Sequence, residues 1–307
     1  MSFRYLYLGA AALALAACGS DAPESAVEAA PETAVEATQD TTAASEAKVM
    51  TLDAVLDAQD DATKARYPAR NPKATLEYFG IQPGMTVAEV LPGGGWYSKI
   101  LLPYLGDDGA LIGIDYSVDM WSNFGGFASE EFLEKRKTWS DTWSNDALAW
   151  RGGSDAEVSA FPFGTMPSDA KGTADAVLLF RALHHLNRFE AAYWDEAMAD
   201  IKAVLKPGGV VGIVQHAGPE ANPDTWANGD NGYLKQSFVI AKFEEAGFEL
   251  AKDPSDINAN DKDVPTAEEM VWRLPPTLGT SRDNPELKAK MEAIGESNRM
   301  TLLFRKK

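Results

Sequence analysis

A glycine-rich turn and an acidic residue 20 positions after it form the most informative chemical pattern in the sequence. Gly93, Gly94 and Gly95 follow the apolar stretch that begins at Val87. A strand that ends in such a turn and leads into a helix lets a ligand approach the backbone and the helix N-terminus closely. Asp115 ends the next apolar stretch, where a carboxylate commonly accepts hydrogen bonds from ribose hydroxyls. Together these residues predict a site for a cofactor that contains adenosine; a tight turn with Asp115 capping a loop is the alternative.

The three histidines are candidates for proton transfer because each follows an apolar stretch that predicts a strand. His184 and His185 come after Asp175–Phe180, and His216 comes after Val210–Gln215. Open α/β sheets bind ligands at the carboxyl ends of their strands, and a neutral imidazole there can remove a proton from a nucleophile. A loop or capping role for each histidine is the alternative. Histidines also bind metals, but no matched spacing of histidine and aspartate marks a site, so no metal site is predicted.

Predicted strands and helices alternate along the chain in the manner of a parallel α/β sheet. The predicted strands are Met85–Leu91, Gly109–Asp115, Glu157–Phe161, Asp175–Phe180, Val210–Gln215, Phe248–Ala251 and Arg299–Arg305. Helices are predicted over 50–64, from an N-cap at Asn71 to a C-cap at Gly80, and over Trp96–Leu105, Phe189–Leu205 and Gln236–Ala246. Lys206–Gly209 predicts a turn before the fifth strand.

The run Glu89-Val-Leu-Pro-Gly-Gly-Gly-Trp-Tyr97 resembles motif I of class I S-adenosylmethionine-dependent methyltransferases. The resemblance continues at Asp175–Phe180, at Leu205–Gly209 and at Ala246–Phe248, and covers most of residues 72–251. A dinucleotide fingerprint would place a third glycine where this chain has Ser98, so a nicotinamide-dependent oxidoreductase is disfavoured. The resemblance implies a Rossmann-like, doubly wound α/β fold, with a seven-stranded sheet, helices on both faces and an antiparallel last strand at Arg299–Arg305.

The same resemblance implies S-adenosylmethionine as the cofactor and an unidentified, small-molecule methyl acceptor. Glu89, Gly93, Gly94, Gly95 and Asp115 occupy the matching cofactor positions, and Trp96 and Tyr97 are expected at the site because they directly follow the glycine turn. The four tryptophans over 121–150 are candidates for an aromatic substrate pocket, but packing in the core is the preferred interpretation for them; they are Trp121, Trp139, Trp143 and Trp150. The family's motif has a glycine at the position of Leu91, and Pro92 follows it in this sequence. The leucine is expected to crowd the cofactor, and the proline removes one N–H donor.

The N-terminus resembles that of a bacterial lipoprotein precursor. Residues 1–17 carry one charge and an apolar run of signal-peptide length, and they end in Leu15-Ala16-Ala17-Cys18. This lipobox-like sequence implies cleavage before Cys18, lipid on its sulfur and attachment to a membrane surface in the cell envelope, on the periplasmic side. Gly19 follows the cysteine instead of the aspartate of inner-membrane retention, which favours the outer membrane. The glycine-turn variant also resembles a group of bacterial methyltransferases, many of them exported.

The composition of the chain indicates its domain organisation and the classes of partner that it disfavours. Residues 18–48 lack aromatic residues and are rich in Ala, Glu, Thr and Pro, which predicts a disordered tether before a domain over 49–307. The net charge of -18 disfavours nucleic acid as a partner. Residues 253–298 form a polar insertion, including the run Trp272–Pro276, that is either a cover for the site or a surface appendage. Export away from the cytoplasmic cofactor supply keeps one functional alternative open, an inactive methyltransferase-fold scaffold of the envelope.

Overall fold

The structure is a computed structural model that describes residues 50–271 and 281–307. The predicted signal peptide, Cys18, the predicted tether and the run Trp272–Pro276 lie outside the described residues. The strands are β1 Thr86–Val90, β2 Ala110–Asp115, β3 Glu157–Pro162, β4 Ala174–Phe180, β5 Leu205–His216, β6 Phe248–Leu250 and β7 Arg299–Lys306. The α-helices are α1 Leu52–Asp57, α2 Asp61–Lys64, α3 Tyr67–Arg70, α4 Pro72–Phe79, α5 Ser98–Leu105, α6 Val118–Ser122, α7 Glu130–Lys137, α8 Trp139–Leu148, α9 Leu183–Arg188, α10 Ala191–Val204, α11 Gln236–Glu245 and α12 Pro285–Ile294.

The seven strands form one sheet in the order β3-β2-β1-β4-β5-β7-β6. Strands β1 to β5 pair in parallel, whereas β7 pairs antiparallel with both β5 and β6. The order reverses between β1 and β4, and ligands of open α/β sheets bind at such a point, outside the carboxyl ends of the strands. The predicted doubly wound sheet with an antiparallel last strand is confirmed.

Helices cover both faces of the sheet because neighbouring residues of a strand point to opposite sides. On β1, Val87 packs in the core that α1, α4, α5 and α8 cover, whereas Ala88 packs in the core of α6, α9, α10 and α11. On β4, Leu178 and Leu179 divide between the two cores in the same way. The near-continuous apolar sequence of these strands follows from burial on both faces.

Three local predictions were wrong. The helix predicted over 50–64 is interrupted, because Asp60 accepts a hydrogen bond from the Thr63 N–H and caps a second helix, α2. Asn71 precedes α4 but does not cap it with its side chain; its φ is 43°, and its amide donates to the Ile257 carbonyl instead. The predicted turn Lys206–Gly209 lies inside β5, where the pairing register with β4 shifts between Ala174 and Ala176.

The described residues of the polar insertion reach the carboxyl edge of the sheet. It contains a short 3-10 helix over Asp256–Asn258 and the helix α12. Asp263 accepts a hydrogen bond from the buried Tyr233 hydroxyl at 3.0 Å, which fixes the insertion to the loop after β5. Met270 and Val271 line the cavity described below. The described part of the insertion therefore contributes to the cover of this edge.

Candidate functional site

The carboxyl ends of β1, β4 and β5 meet around a cavity of about 640 Å³. One side is lined by Glu89 in β1 and by residues that follow this strand, namely 91–94, Trp96 and Tyr97; Gly95 and Asp115 are not among the lining residues. The opposite side is lined by the start of α9 and the end of β5, where all three histidines lie. The volume falls in the range typical of small-molecule sites.

The glycine turn keeps the backbone accessible. Gly93 and Gly95 have φ of 55° and 75°, a left-handed conformation that glycine adopts at little cost. A Cβ at Gly93 or Gly94 would meet no heavy atom of the described residues within 4 Å, so a ligand can approach the main chain at these two positions. Gly95 is different, because a Cβ there would overlap the ring of Trp150.

Leu91 adopts a left-handed backbone conformation, which suits the glycine that the motif has at this position. Its φ is 54°, which costs an L-residue roughly 1–2 kcal/mol. The side chain is half-buried, packs against a core cluster and lines the cavity. Leu91 therefore adopts the backbone conformation that the turn requires. The strained backbone of Leu91 lies at the edge of the cavity, and strained residues are often found at functional sites.

Glu89 is buried below this turn, and the Ser98 hydroxyl donates a hydrogen bond to its Oε2 at 2.6 Å. Burial raises the pKa of Glu89 to about 7, while the Ser98 hydrogen bond and the Arg70 charge act to lower it. Ser98, which replaces the third glycine of a dinucleotide fingerprint, thus has a defined role as the partner of Glu89. The sequence analysis did not anticipate that role.

Asp115 ends β2 and keeps one carboxylate oxygen unused. Its Oδ2 accepts hydrogen bonds from Arg136 Nη1 at 2.8 Å and from Trp121 Nε1 at 3.2 Å. Its Oδ1 is buried and has no hydrogen-bond partner among the described residues. Burial raises the pKa of Asp115, against the charge of Arg136. A buried carboxylate oxygen without a donor fits a ligand hydroxyl, and this is the position at which the ribose of an adenosine cofactor was expected.

The structure brings the three histidines together, which their sequence positions do not require. The rings of His184 and His185 lie 3.9 Å apart between centroids, and those of His184 and His216 lie 5.7 Å apart. His184 Nδ1 lies 3.2 Å from Gln215 Oε1, and His216 Nδ1 lies 2.6 Å from the Ser297 hydroxyl. Burial, with smaller effects of His184, Arg181 and Arg299, holds the pKa of His216 well below its ordinary value.

Tyr97 is buried and lines the cavity between the two sides. Its ring stacks on Phe180 at 3.6 Å, and its hydroxyl donates to the Arg70 carbonyl at 3.1 Å. Burial raises the pKa of Tyr97 to about 12, so the hydroxyl stays protonated at neutral pH. Trp96 lies at the same wall, with the Arg70 guanidinium 4.3 Å above its ring. Trp121, expected to serve packing, also contacts Asp115 as described above.

A comparison with protein families matches residues 88–213 to the model of a methyltransferase domain. The match begins in β1 and ends in β5, and it contains the glycine turn, Asp115, His184 and His185. Residues 88–213 thus match a methyltransferase domain, and the sheet around them has the class I, Rossmann-like fold. The predicted family resemblance is confirmed for this part of the chain, and comparison with curated proteins gives no match.

Solved structures similar to this chain include three described as methyltransferases. An S-adenosylmethionine-dependent methyltransferase from Aquifex aeolicus is 20% identical, with 66% of this chain and 91% of that chain covered and a TM-score of 0.42. A putative sarcosine dimethylglycine methyltransferase from Galdieria sulphuraria is 14% identical, with 82% and 88% covered and a TM-score of 0.46. An arsenic(III) S-adenosylmethionine methyltransferase from Chlamydomonas reinhardtii is 15% identical, with 83% and 72% covered and a TM-score of 0.42. The fold assignment itself rests on the strand order and the family model.

Sequence reasoning missed the arginines that line this cavity. Among the described lining residues, five are arginines: Arg66, Arg70, Arg181, Arg188 and Arg299. Two of these arginines could have been predicted to lie near the site, because Arg181 directly follows β4 and Arg299 begins the antiparallel β7. Both positions lie at the carboxyl edge of the parallel strands.

The described residues contain no group of three or more His, Cys, Asp or Glu arranged to hold a metal ion. Over the same residues, no helix has the length and apolar character needed to cross a membrane.

Proposed function

We propose that this protein transfers a methyl group from S-adenosylmethionine to a small-molecule acceptor bound in the cavity. The observation that carries the proposal is the unpartnered Oδ1 of Asp115, buried at the end of β2 one strand away from the open glycine turn. A pure scaffold would gain nothing from a buried carboxylate oxygen without a donor, since such a group costs about 1–3 kcal/mol. The family match to residues 88–213 supports the same reaction class.

The cofactor position follows from these residues. Asp115 would accept hydrogen bonds from the ribose, the main chain at Gly93 and Gly94 would lie against the cofactor, and Glu89 would face its cationic methionine end. When bound, the cofactor supplies a methyl group already activated by a positively charged sulfur. The protein must then hold the acceptor in line with that methyl group and receive a proton if the acceptor carries one.

His184 is the best placed proton acceptor of the three histidines. Gln215 Nε2 donates to the Gly232 carbonyl at 3.0 Å, which turns the amide oxygen of Gln215 towards His184 Nδ1. Since an amide oxygen only accepts hydrogen bonds, Nδ1 of a neutral His184 carries the proton and Nε2 carries the lone pair. His216 is a weaker base because its pKa lies well below the ordinary value.

The proposed reaction balances with these groups. Bound S-adenosylmethionine would supply the methyl carbon to the acceptor's lone pair, and the electron pair of the broken carbon–sulfur bond would remain on sulfur. The acceptor's proton passes to Nε2 of His184, and S-adenosylhomocysteine is the second product. Arg181 and Arg299 are among the charges that oppose protonation of the neighbouring His216.

Calorimetric titration of the full chain with S-adenosylmethionine, S-adenosylhomocysteine and NAD tests the cofactor assignment. We expect micromolar binding of the first two ligands and no heat from NAD. No binding of either sulfur ligand to a protein that shows a cooperative thermal transition would contradict the proposal and leave the envelope scaffold as the better account.

We also propose that the protein is lipidated at Cys18 and held at the periplasmic side of the envelope, in keeping with its lipobox-like sequence. Mass spectrometry of the N-terminal peptide from cell membranes tests this. A diacylglyceryl-modified Cys18 is expected, and a soluble chain that retains Met1 would contradict it. The variant Cys18→Ser is the matched control, because it removes only the sulfur that carries the lipid.

A further inference from the structure

The carboxylate of Asp115 lies one strand away from the glycine turn but does not face the cavity. Glu89, Gly93 and Gly94 are lining residues, whereas the described lining does not include Asp115. The Asp115 side chain is 3% exposed, and its Oδ1 is buried. A ligand that enters the cavity therefore reaches the glycine turn without contact with this carboxylate. Part of the protein must move before a ribose hydroxyl can reach Asp115.

Two side chains bind the Asp115 carboxylate, and they differ in how firmly they are held. Trp121 belongs to α6, is 7% exposed and packs in the hydrophobic core on one face of the sheet. Arg136 belongs to α7, and its side chain is 24% exposed. Trp121 is thus part of the core, whereas Arg136 approaches the carboxylate from the solvent side. A rearrangement that frees the carboxylate is therefore expected to move Arg136 and to leave Trp121 in place.

The ion pair between Arg136 and Asp115 is incomplete. Arg136 Nη1 donates to Asp115 Oδ2 at 2.8 Å. Arg136 Nε and Asp115 Oδ1 are both buried, and neither has a hydrogen-bond partner among residues 50–271 and 281–307. A guanidinium and a carboxylate can form two parallel hydrogen bonds that satisfy both groups, and an unpaired buried donor or acceptor costs free energy. The observed contact is therefore poorly suited to a purely structural role and can be exchanged for a better partner.

Helix α7 is weakly attached to the rest of the protein. In the part of the chain that the structure describes, no residue of α7 is buried, and Phe132 and Leu133 are half-buried against the core. Gly125, with a φ of 62°, and Gly126 precede the helix. Segments with few buried contacts open locally at a low free-energy cost. We call residues 125–138 the α7 flap.

A ribose competes with Arg136 for the same carboxylate. The two neighbouring hydroxyls of a ribose can donate to both oxygens of a carboxylate, which accepts several hydrogen bonds. Arg136 already occupies Oδ2, and the carboxylate stays almost inaccessible while Arg136 is in place. A ligand shifts an equilibrium towards the state that it binds more tightly. A ribose that reaches Asp115 only after Arg136 has left therefore favours the open state of the flap.

We propose that Arg136 gates the cofactor site: its contact with Asp115 holds the α7 flap closed, and an adenosine ligand that binds Asp115 breaks this contact and opens the flap. The identity of the ligand rests on the methyl-transfer function proposed above, whereas the closed flap rests on the contacts of Arg136 and Asp115. Because the binding-competent state must first be reached, the closed contact lowers the apparent affinity for the cofactor.

Hydrogen–deuterium exchange of the full chain, with and without saturating S-adenosylhomocysteine, tests the opening of the flap. We expect the ligand to speed exchange of the α7 amides by about threefold or more, because a helix of this length is unstable in water once it is detached. Helix α8 is the internal reference, because the buried Trp139 and Trp143 anchor it. Its amides should change by less than about twofold.

Substitutions on α7 separate the gate from a general charge effect. Arg136→Gln should speed α7 exchange without ligand and tighten S-adenosylhomocysteine binding by about three- to tenfold, since the closed state loses its contact. Lys135→Gln removes the same charge from the same helix, where Lys135 is exposed and pairs with Glu131, and should alter both quantities by less than about twofold.

Two controls keep the binding comparison decisive. Affinities are measured at pH 8 and pH 9, because burial raises the pKa of Asp115 and the charge of Arg136 acts to lower it; a carboxyl group that is still protonated in Arg136→Gln would show as affinity that rises between the two values. Arg136→Lys keeps the positive charge without the planar guanidinium and should lie between the wild type and Arg136→Gln. Thermal melting shows whether each variant is folded, and Arg136→Lys carries the test if Arg136→Gln is unfolded.

The outcomes distinguish the gate from the proposed function. No S-adenosylhomocysteine binding by the wild type or by Arg136→Gln would overturn both the methyl-transfer function and the gate. Equal affinity of the wild type and Arg136→Gln, with α7 exchange unchanged by the ligand, would overturn the gate and leave the function in place. Slower α7 exchange in the liganded wild type would also overturn the gate. So would weaker binding by Arg136→Gln at both pH values, because Arg136 would then support the carboxylate instead of competing for it.

Discussion

Replacing Asp115 with asparagine should weaken binding of S-adenosylhomocysteine while leaving the fold intact. The wild-type carboxylate is 2% exposed and uses only Oδ2, towards Arg136 and Trp121. Asparagine has the same shape, and its amide oxygen can keep these two donors. The amide NH₂ then faces the direction of Oδ1, so an acceptor becomes a donor where a ribose hydroxyl should donate.

The expected magnitude follows from the loss of a hydrogen bond to a charged group. Such a bond contributes about 1.5–3 kcal/mol, and about 1.4 kcal/mol corresponds to a tenfold change in affinity. The dissociation constant should therefore rise roughly 10- to 100-fold. Calorimetry at pH 8 is the appropriate assay, because burial raises the pKa of Asp115 and the measurement needs the ionised carboxylate.

Asp119→Asn is the matched control, because Asp119 is exposed and lies four residues further along the chain. This variant makes the same chemical change and should alter the affinity less than twofold. The reasoning is refuted if folded Asp115→Asn binds S-adenosylhomocysteine within threefold of the wild type. An equal loss in both variants would also refute it, because a change in overall charge would then explain the effect.

Three further predictions concern the residues around the cavity. Nitrogen-15 NMR of the histidine rings should show neutral His184 with its proton on Nδ1, and Gln215→Met should remove that preference; a pure Nε2–H tautomer in the wild type would contradict the assigned base. At position 91, Leu91→Gly should be more stable than Leu91→Ala by about 1 kcal/mol in urea unfolding, because only glycine relieves the positive φ; equal stabilities would show that the backbone is not strained. Glu89→Gln should stabilise the protein at pH 8 by up to about 3 kcal/mol and have no such effect below pH 4.5. The sign follows from the raised pKa, because the folded state binds more protons than the unfolded state between pH 4.5 and about 7, so wild-type stability falls as pH rises through this range; parallel pH profiles of the two proteins would rule this out.

The strands and helices were predictable from the sequence because the information that specifies them is local, whereas the doubly wound sheet with its antiparallel last strand was an implication of the family resemblance. The apolar runs that end at Leu91, Asp115 and Phe180 have the length of buried strands, and glycine ends the helices at Gly80 and near Gly247. Each of these features depends on a few neighbouring residues. The N-cap predicted at Asn71 failed because a distant partner, the carbonyl of Ile257, accepts a hydrogen bond from its side chain.

The sequence by itself determined the order of the elements, the glycine turn and the carboxylate at the end of the second strand. Only the tertiary structure decided that Arg70, Arg181 and Arg299 line one cavity, that Gln215 orients His184, and that Asp115 keeps an unused oxygen. The physical reason is that hydrophobic periodicity repeats along the chain and can be read residue by residue. The charge and hydrogen-bonding environment of a group instead depends on groups that are distant in sequence and meet only when the sheet brings the strand ends to one edge.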